Sequence, residues 1–325
     1  MNAPSPFAFD YTSRRSRDPF AHANTATGWS NTYEQLAPGP FEASTQQLSL
    51  GSLQIFDESI GCGFSYRGRP WRGSRVFFSY LSDTACRYYD ARPVASDTVV
   101  SHRWDAVERV MSPHPIRLAL VAVEEKLLLD QLEDLLDCSG AAALAAVTST
   151  NDPRLVRIFQ ASVLDVLREL EQSPQAIDDQ IARGELQARI IDMLVELASD
   201  SMVSTRSLPP PTTRAYVVRR AVEIMEEGLP DATSVTDLCR KIRVCPRTLR
   251  YSFAEVTGVS PTQFLLSMRL NGARRTLLSR GNHAPVHVVA ARWGFWHMSR
   301  FARYYRVAFG ERPSDTLAGA ARRRS

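Results

Sequence analysis

The C-terminal third of the chain contains a pattern of apolar residues, glycine and proline that occurs twice. Four positions recur at an offset of 52 residues: Leu249, Phe253, Gly258 and Pro261 are followed by Phe301, Tyr305, Gly310 and Pro313. Apolar residues four positions apart fall on one face of an α-helix. Glycine favours the left-handed conformation that ends a helix, and proline suits the first turn of the next one. The pattern therefore predicts two copies of one helical unit.

Capping signals place the helices of each unit. The predicted helices span, in order, 216–227, 234–242, 245–257, 261–280, 285–293 and 297–309. Ser234 and Asp237 form the signature of a capping box, and a tight turn is expected at Arg243 and Val244. The succession of helix, tight turn and helix occurs in both units. We therefore expect an all-α domain over 214–318, with two helix-turn-helix units joined by one long helix.

The last helix of each unit is predicted to be amphipathic. Its apolar face attaches it to the domain core, which leaves the opposite face polar. The residues of that face are Arg247, Arg250 and Tyr251 in the first unit and Ser299, Ala302, Arg303 and Arg306 in the second. The major groove of DNA admits an α-helix, and arginine donates two hydrogen bonds to guanine there. Helices 245–257 and 297–309 are therefore predicted to read two successive major grooves, about 34 Å apart.

Charge is distributed unevenly along the chain. The formal net charge is +4, yet the residues from Arg214 onward hold 20 Lys+Arg and 8 Asp+Glu, and the preceding 213 residues have a net charge of −8. Local positive charge is what DNA phosphates attract, so the division favours a nucleic-acid-binding domain attached to an acidic one. Six basic residues on supporting helices are expected to contact phosphates or to form internal ion pairs: Arg240, Lys241, Arg269, Arg274, Arg275 and Arg292.

The N-terminal part has a different pattern. Short β-type runs separated by Gly, Pro and Asp, such as 48–56 and 74–81, predict a small antiparallel β-sandwich or barrel. A short helix is expected at 31–36. Helical periodicity over 123–138, 153–171 and 175–200 predicts an amphipathic helical layer, either packed within the domain or serving as a subunit interface. The whole chain is therefore assigned to the α+β class.

Stretches of polar residues and proline mark the expected domain boundaries. Residues 1–25 show no periodic pattern and are expected to form a flexible tail. Three adjacent prolines indicate an extended linker over 204–213. These boundaries give an effector-sensing or dimerisation domain over 26–203, the DNA-binding domain over 214–318 and a basic tail over 319–325.

The sequence contains no signal of catalysis, of a metal site or of a cofactor. The cysteines are odd in number, widely spaced and without a CxxC pair, which argues against a disulfide framework or a zinc site: Cys62, Cys86, Cys138, Cys239 and Cys245. No secretion signal or apolar run of about 20 residues is found, so a cytoplasmic, nucleoid-associated protein without membrane contact is expected. Eight aromatic residues are expected in the β-domain core, with a pocket wall as the alternative: Trp29, Phe41, Phe56, Phe64, Trp71, Phe77, Phe78 and Trp104.

The C-terminal segments DLCRKIRVCPRTLRYSFAEVTGVSP and WGFWHMSRFARYYRVAFGERPS, with RLNGARRTLL between them, resemble the AraC/XylS family of bacterial transcription regulators. Together with YEQLAPGPFEA near the N terminus, they are most similar to the ethanolamine-utilisation regulators within that family. The resemblance implies that five residues occupy DNA-contacting positions: Arg247, Arg250, Tyr251, Ser299 and Arg303. Two positions depart from the family pattern, because Arg243 replaces the usual glycine of the first turn and Cys245 replaces the usual capping serine.

These observations predict a sequence-specific transcription regulator, with an effector-responsive activator as the first hypothesis. Its expected partners are promoter DNA, RNA polymerase, a second copy of the chain and a small-molecule effector. One alternative is a regulator switched by a protein partner or by dimerisation without a small ligand. Another is an enzyme joined to a DNA-binding module, although Cys62, Cys86 and Cys138 lack the spacing of a thiolate cluster.

Overall fold

The computed structural model of the chain describes residues 7–82, 87–136, 147–203, 208–228, 234–279 and 284–322. An N-terminal half of strands and helices is followed by a C-terminal half made of helices. The expected α+β class is therefore confirmed. Within the described residues, no helix is both long enough and apolar enough to cross a membrane.

The N-terminal half contains two antiparallel sheets. The strands are β1 (Asp10–Ser16), β2 (Ser30–Gln35), β3 (Ala43–Leu50), β4 (Leu53–Ile60), β5 (Phe64–Arg69), β6 (Ser74–Tyr80), β7 (Tyr88–Tyr89), β8 (Arg92–Pro93), β9 (Val99–Arg103), β10 (Glu108–Ser112), β11 (Ile116–Glu124) and β12 (Val147–Thr150). One sheet has the order β1-β3-β4-β11-β6-β9-β12, and the other has the order β2-β5-β10-β7-β8.

The seven-stranded sheet is covered on both faces. Alternate residues of a strand point to opposite faces, and β4 illustrates the division: Leu53 and Ile55 belong to a core shared with the helices, whereas Ile60 belongs to the core between the sheets. Three helices form the layer on the first face: α2 (Glu125–Leu136), α3 (Pro153–Gln172) and α4 (Gln180–Val203). Their apolar stripes, with Phe159 and Leu194 fully buried, pack against the sheet. The sequence pattern of this layer is therefore accounted for by packing within the domain.

The structure corrects three sequence-based expectations in this half. Residues 10–16, expected in a flexible tail, form β1, which pairs with β3, and Pro19–Ala23 forms the short helix α1. The predicted helix at 31–36 is instead β2, which pairs with β5. Both strands lie at sheet edges, where one side has no neighbouring strand and polar residues are favoured, so an apolar alternation was absent. Val123, assigned to a helix, lies in β11.

The segment expected to be a linker is partly attached to the sheets. Residues 204–207 lie outside the described residues, and Leu208 is buried in the core between the sheets. Arg92 donates hydrogen bonds to the carbonyls of Leu208 and Pro209. The chain therefore leaves the N-terminal half only after Pro209, close to the first helix of the C-terminal half.

The C-terminal half contains the predicted succession of helices. They are α5 (Thr213–Glu227), α6 (Val235–Ile242), α7 (Pro246–Thr257), α8 (Pro261–Leu278), α9 (Val286–Arg292), α10 (Met298–Phe309) and α11 (Pro313–Arg322). The Ser234–Asp237 capping box is present, and a second one, Ser260 with Gln263, opens α8. The predicted basic tail is corrected, because α11 extends to Arg322 and only 323–325 remain outside the described residues.

Candidate nucleic-acid interface

The repeated sequence positions have repeated structural roles. Leu249 and Phe253 on α7 and Phe301 and Tyr305 on α10 are at most 1% exposed. The glycine after each helix is left-handed, with φ of 72° at position 258 and 74° at position 310. Each proline of the pattern is buried and begins the next helix, α8 or α11. The two units therefore hold α7 and α10 to the domain in the same way.

The turn before α7 contains the two departures from the family pattern. Arg243 ends α6 in the left-handed conformation, with φ of 61°, which a side chain with a Cβ adopts at a cost of about 1–2 kcal/mol. Cys245 caps α7 through its sulfur, which lies 3.5 Å from the Thr248 amide nitrogen and accepts its hydrogen bond. Hydrogen bonds from Thr248 lower the pKa of the exposed Cys245 thiol. The sulfur thus partly replaces the usual capping oxygen.

The predicted DNA-reading residues lie on exposed surfaces of both units. Exposed side chains are found at Arg247, Arg250 and Tyr251 on α7 and at Ser299, Arg303 and Arg306 on α10. The guanidinium carbon of Arg247 lies 5.5 Å from the centroid of the Tyr251 ring. No described acidic side chain forms an ion pair with these arginines. Their donors therefore face solvent and are available to a polyanion.

Sequence reasoning missed two apolar side chains beside the second unit. Trp296, just before α10, is 79% exposed, and Val307 on α10 is 57% exposed. Contiguous exposed apolar patches can mark a contact with a partner, whereas single exposed apolar residues are common on protein surfaces. The sequence contained a signal that Trp296 is exposed, because this residue lies in a turn after Gly294 and outside the apolar periodicity of α9 and α10.

The basic residues of α8 have an internal role. Arg274 is 8% exposed and forms ion pairs with Asp18 and with Glu311, the latter at 2.8 Å. Burial alone would lower the pKa of Arg274, but the nearby carboxylates raise it above its usual value. Arg275 pairs with Glu34 at 3.5 Å. Of the two roles expected for Arg274 and Arg275, phosphate contact and internal ion pairing, the structure contains the second.

Helix α8 connects the two units and also contacts the N-terminal half. A Cβ at Gly272 would lie 2.3 Å from the Trp293 ring, so glycine permits the close approach of α8 to the end of α9. The Asn271 side-chain amide donates to the backbone carbonyl of Gln35, which lies on β2, at 3.2 Å. On the other side of the interface, Arg109 donates two hydrogen bonds to Glu226. The N-terminal half thus rests on α8 and α5 while α7 and α10 keep their polar faces exposed.

The aromatic residues of the N-terminal half divide between core and cavity. Trp29, Phe56, Phe64 and Phe78 line a cavity between the two sheets. Phe41 and Trp71 belong to the surrounding core, and Phe77 belongs to the core on the opposite face of the sheet. Trp104 lies under the guanidinium of Arg72. Half of the eight aromatic residues considered from the sequence are therefore cavity walls.

Comparison with known proteins identifies the C-terminal helices. Residues 238–319 match a family model described as a helix-turn-helix domain. The chain is 26% identical over 208 residues to a probable thc operon regulatory protein of Rhodococcus erythropolis, covering 63% of this chain and 62% of the relative. It is 35% identical over 100 residues to XylDLEGF operon transcriptional activator 2 of Pseudomonas putida, covering 30% of this chain and 64% of the relative.

Among solved structures, the AraC-like transcriptional activator CuxR is similar with a TM-score of 0.42 and 16% identity, covering 80% of this chain and 94% of that one. The chain covers less than two thirds of the length of the two curated relatives above. The family match, residues 238–319, covers the two repeated units from α6 to α11. Residues 238–319 are therefore a helix-turn-helix domain.

Proposed function

We propose that the protein is a sequence-specific DNA-binding transcription regulator, and more narrowly an effector-responsive activator. The observation that carries the proposal is the pair of exposed polar helix faces, on α7 and α10, each held by an equivalent pair of buried residues. Arg247, Arg250 and Tyr251 are assigned to one major groove, and Ser299, Arg303 and Arg306 are assigned to the next. One chain then reads a long, asymmetric site.

Binding to genomic fragments tests the proposal. The full chain should select particular fragments over bulk competitor DNA, and footprinting should show two protected segments about one helical turn apart. Arg303→Ala should weaken the selected site by about 10- to 100-fold and relax its sequence preference, because one base contact contributes ~1–3 kcal/mol. Protein that prefers no fragment over competitor would refute the proposed function.

A matched control separates base reading from a general loss of charge. Arg168 is an exposed arginine on α3, paired with Asp165, and lies in the N-terminal half. Arg168→Ala removes the same charge as Arg303→Ala but should leave affinity and sequence preference unchanged. Equal losses in both variants would refute the assignment of Arg303 to a base.

The effector-responsive part of the proposal is supported by the cavity and by the contacts on α8. Promoter DNA, RNA polymerase and a small molecule are the proposed partners, and the nucleoid is the proposed place of action. A homodimer is also proposed, although the leucine-rich stripes that suggested it are buried against the sheet. Sedimentation of the full chain across a concentration series tests this point, and a single monomeric species would contradict it.

The alternative of a regulator switched by a partner protein is favoured only by the exposed Trp296 and Val307. Within the AraC/XylS regulators we propose the ethanolamine-utilisation regulators as the nearest subgroup. Two of the segments behind that resemblance, YEQLAPGPFEA and RLNGARRTLL, supply Gln35 and Asn271, which are hydrogen-bonded to each other. A non-enzymatic role stays part of the proposal.

A further inference from the structure

The cavity between the two sheets combines aromatic walls with acidic groups. Its volume is about 60 Å³, several times the ~10–15 Å³ that one water molecule needs. Rings of Trp29, Phe56 and Tyr66 form part of the wall, and the carboxylates of Glu58 and Glu108 face the same space. None of the described residues that line it is an arginine or a lysine. The wall therefore suits a ligand that is both apolar and cationic.

Polar groups of the cavity lie in one row across the seven-stranded sheet. The row consists of Thr45, Glu58, Leu118 and Tyr80, which are register partners on β3, β4, β11 and β6. The adjacent row consists of Phe56, Leu120 and Phe78. All seven residues line the cavity. A ligand with one polar end and an apolar body would match these neighbouring rows.

Three oxygen atoms of the polar row have no partner among the described residues. The hydroxyls of Tyr80 and Thr45 are buried, at 0% and 4% residue exposure, and neither has a hydrogen bond. One oxygen of Glu58, Oε1, accepts hydrogen bonds from Tyr33 and His22, both at 2.7 Å, whereas no described residue donates to Oε2. Buried polar groups are normally hydrogen-bonded. The hydroxyls of Tyr80 and Thr45 can donate or accept, whereas a carboxylate oxygen of Glu58 accepts, so a ligand group that supplies donors can pair with all three.

Each of the two carboxylates that line the cavity contacts a histidine. His22 contacts Glu58 through Nε2, and its buried Nδ1 has no partner among the described residues. His102 contacts Glu108 through Nε2, and its Nδ1 lies 3.1 Å from the Arg103 carbonyl oxygen. Both carboxylates are thus held by a histidine while they line the cavity.

One guanidinium lies near the cavity without lining it. The guanidinium carbon of Arg87 lies 4.6 Å from the centroid of the Tyr80 ring. It covers the ring, whereas the Tyr80 hydroxyl remains without a hydrogen bond. An anionic ligand would therefore meet Glu58 and Glu108 at close range, and the acidic lining outweighs this one cation.

We propose that the cavity binds a small primary amine, in its ammonium form, with an aromatic or branched apolar body. The three N–H donors of the ammonium group match Glu58 Oε2, Tyr80 Oη and Thr45 Oγ1. The body packs on the row of Phe56, Leu120 and Phe78. This inference rests on the proposed function in one respect only, because it names the chemical class of the effector.

Calorimetric titration of the full chain, without DNA, compares probes that differ in their polar group or in their apolar body. Benzylamine should bind and raise the melting temperature of the chain, since a ligand of the folded state stabilises it. Benzyl alcohol and benzoate, which lack the ammonium group, should bind about 10- to 100-fold more weakly. Methylamine, which lacks the apolar body, should also bind more weakly than benzylamine.

Two variants locate the ammonium group. Glu58→Gln should remove the preference for benzylamine over benzyl alcohol, and Tyr80→Phe should reduce it while keeping the aromatic ring. The matched control is Glu169→Gln, because Glu169 is an exposed carboxylate paired with Arg189 on the helical layer. The control variant should bind benzylamine like the unmodified chain.

Several results would overturn the inference. They are equal or tighter binding of benzoate or benzyl alcohol, no binding of benzylamine at millimolar concentration, or an unchanged amine preference in both Glu58→Gln and Tyr80→Phe. The comparison of probes uses the unmodified chain, so the inference can be refuted even if a variant fails to fold. Selection of genomic DNA fragments by the same preparation tests DNA binding separately. Each proposal can therefore fail while the other holds.

Discussion

Replacing Arg274 by methionine tests whether this arginine stabilises the fold or contacts DNA. Arg274→Met keeps most of the aliphatic stem but removes the charge that pairs with Asp18 and Glu311. Breaking a buried ion pair costs about 3–5 kcal/mol because the remaining charge is left unpaired. The lower end applies here, since the Glu311 side chain is 37% exposed and Asp18 still accepts a hydrogen bond from the Ala21 amide. We therefore expect a loss of about 3 kcal/mol in unfolding free energy.

Two measurements on this variant distinguish the two roles. Urea unfolding of the full chain should show the loss of stability. A salt titration of DNA binding should show the same slope as the unmodified chain, because removing a phosphate contact lowers the slope by about 1. Arg274→Met that unfolds like the unmodified chain but flattens the salt dependence would refute the internal role.

A control and a double-mutant cycle complete this test. Arg292 is an exposed arginine on the supporting helix α9. Arg292→Met should change stability by no more than about 0.5 kcal/mol, and any phosphate contact it makes would appear in the salt slope. Asp18→Asn combined with Arg274→Met should be less harmful than the sum of the two changes, by about 1–3 kcal/mol, because the residues are partners. Additive losses would show that the ion pair is not the source of the effect.

Three further predictions concern the first helix-turn-helix unit and the described thiols. Arg243→Gly should stabilise the chain by up to about 1 kcal/mol in urea unfolding, since relief of about 1–2 kcal/mol of left-handed strain exceeds the added entropy of unfolded glycine; lower stability would contradict this. Cys245→Ser should raise stability by about 0.5–1 kcal/mol through a stronger oxygen cap, measured in the same way; an unchanged midpoint would count against the weak sulfur cap. Timed alkylation followed by mass spectrometry should show that Cys245 is modified before Cys62 and Cys239, because hydrogen bonds from Thr248 lower the pKa of Cys245. Burial raises the pKa of Cys62 to about 11 and that of Cys239 above its usual value. Faster alkylation of Cys62 would refute the order.

The C-terminal helices were predictable because their signals are local. Ser234, Pro261 and Gly310 each mark a helix end within a few residues of sequence, and the structure places helix ends beside all three. The exposed faces of α7 and α10 follow from the same periodicity. Their contact with DNA stays a prediction.

The N-terminal site was not predictable because it depends on strand register. Thr45, Glu58 and Tyr80 have no motif spacing in the sequence, and they become neighbours only when β3, β4, β11 and β6 pair. The same limit applies to Arg274, whose partner Asp18 lies 256 positions away. The sequence predicted either an internal ion pair or a phosphate contact for Arg274, and only the tertiary structure decides between the two roles.

Two elements connect the cavity to α8. Helix α1 carries both Asp18, at its N-cap, and His22, so it contacts Arg274 on α8 and Glu58 in the cavity. Strand β2 carries Tyr33, whose hydroxyl donates a hydrogen bond to Glu58. The next two residues of β2 contact α8, through the side chain of Glu34 and the backbone carbonyl of Gln35. Glu58 Oε1 thus accepts hydrogen bonds from both elements that hold the N-terminal half on α8.

A cation at Glu58 would therefore act on the placement of α8 through these two hydrogen bonds. An ammonium group that draws the carboxylate toward itself weakens the hydrogen bonds that Glu58 accepts from Tyr33 and His22. Strand β2 and helix α1 then lose part of their attachment to Glu58. A ligand shifts an equilibrium only by its differential affinity for the two arrangements. By thermodynamic linkage, any change in cation affinity on binding DNA must equal the change in DNA affinity on binding the cation. Glu58→Gln should then abolish both effects together, whereas loss of one without the other would place the coupling elsewhere in the fold.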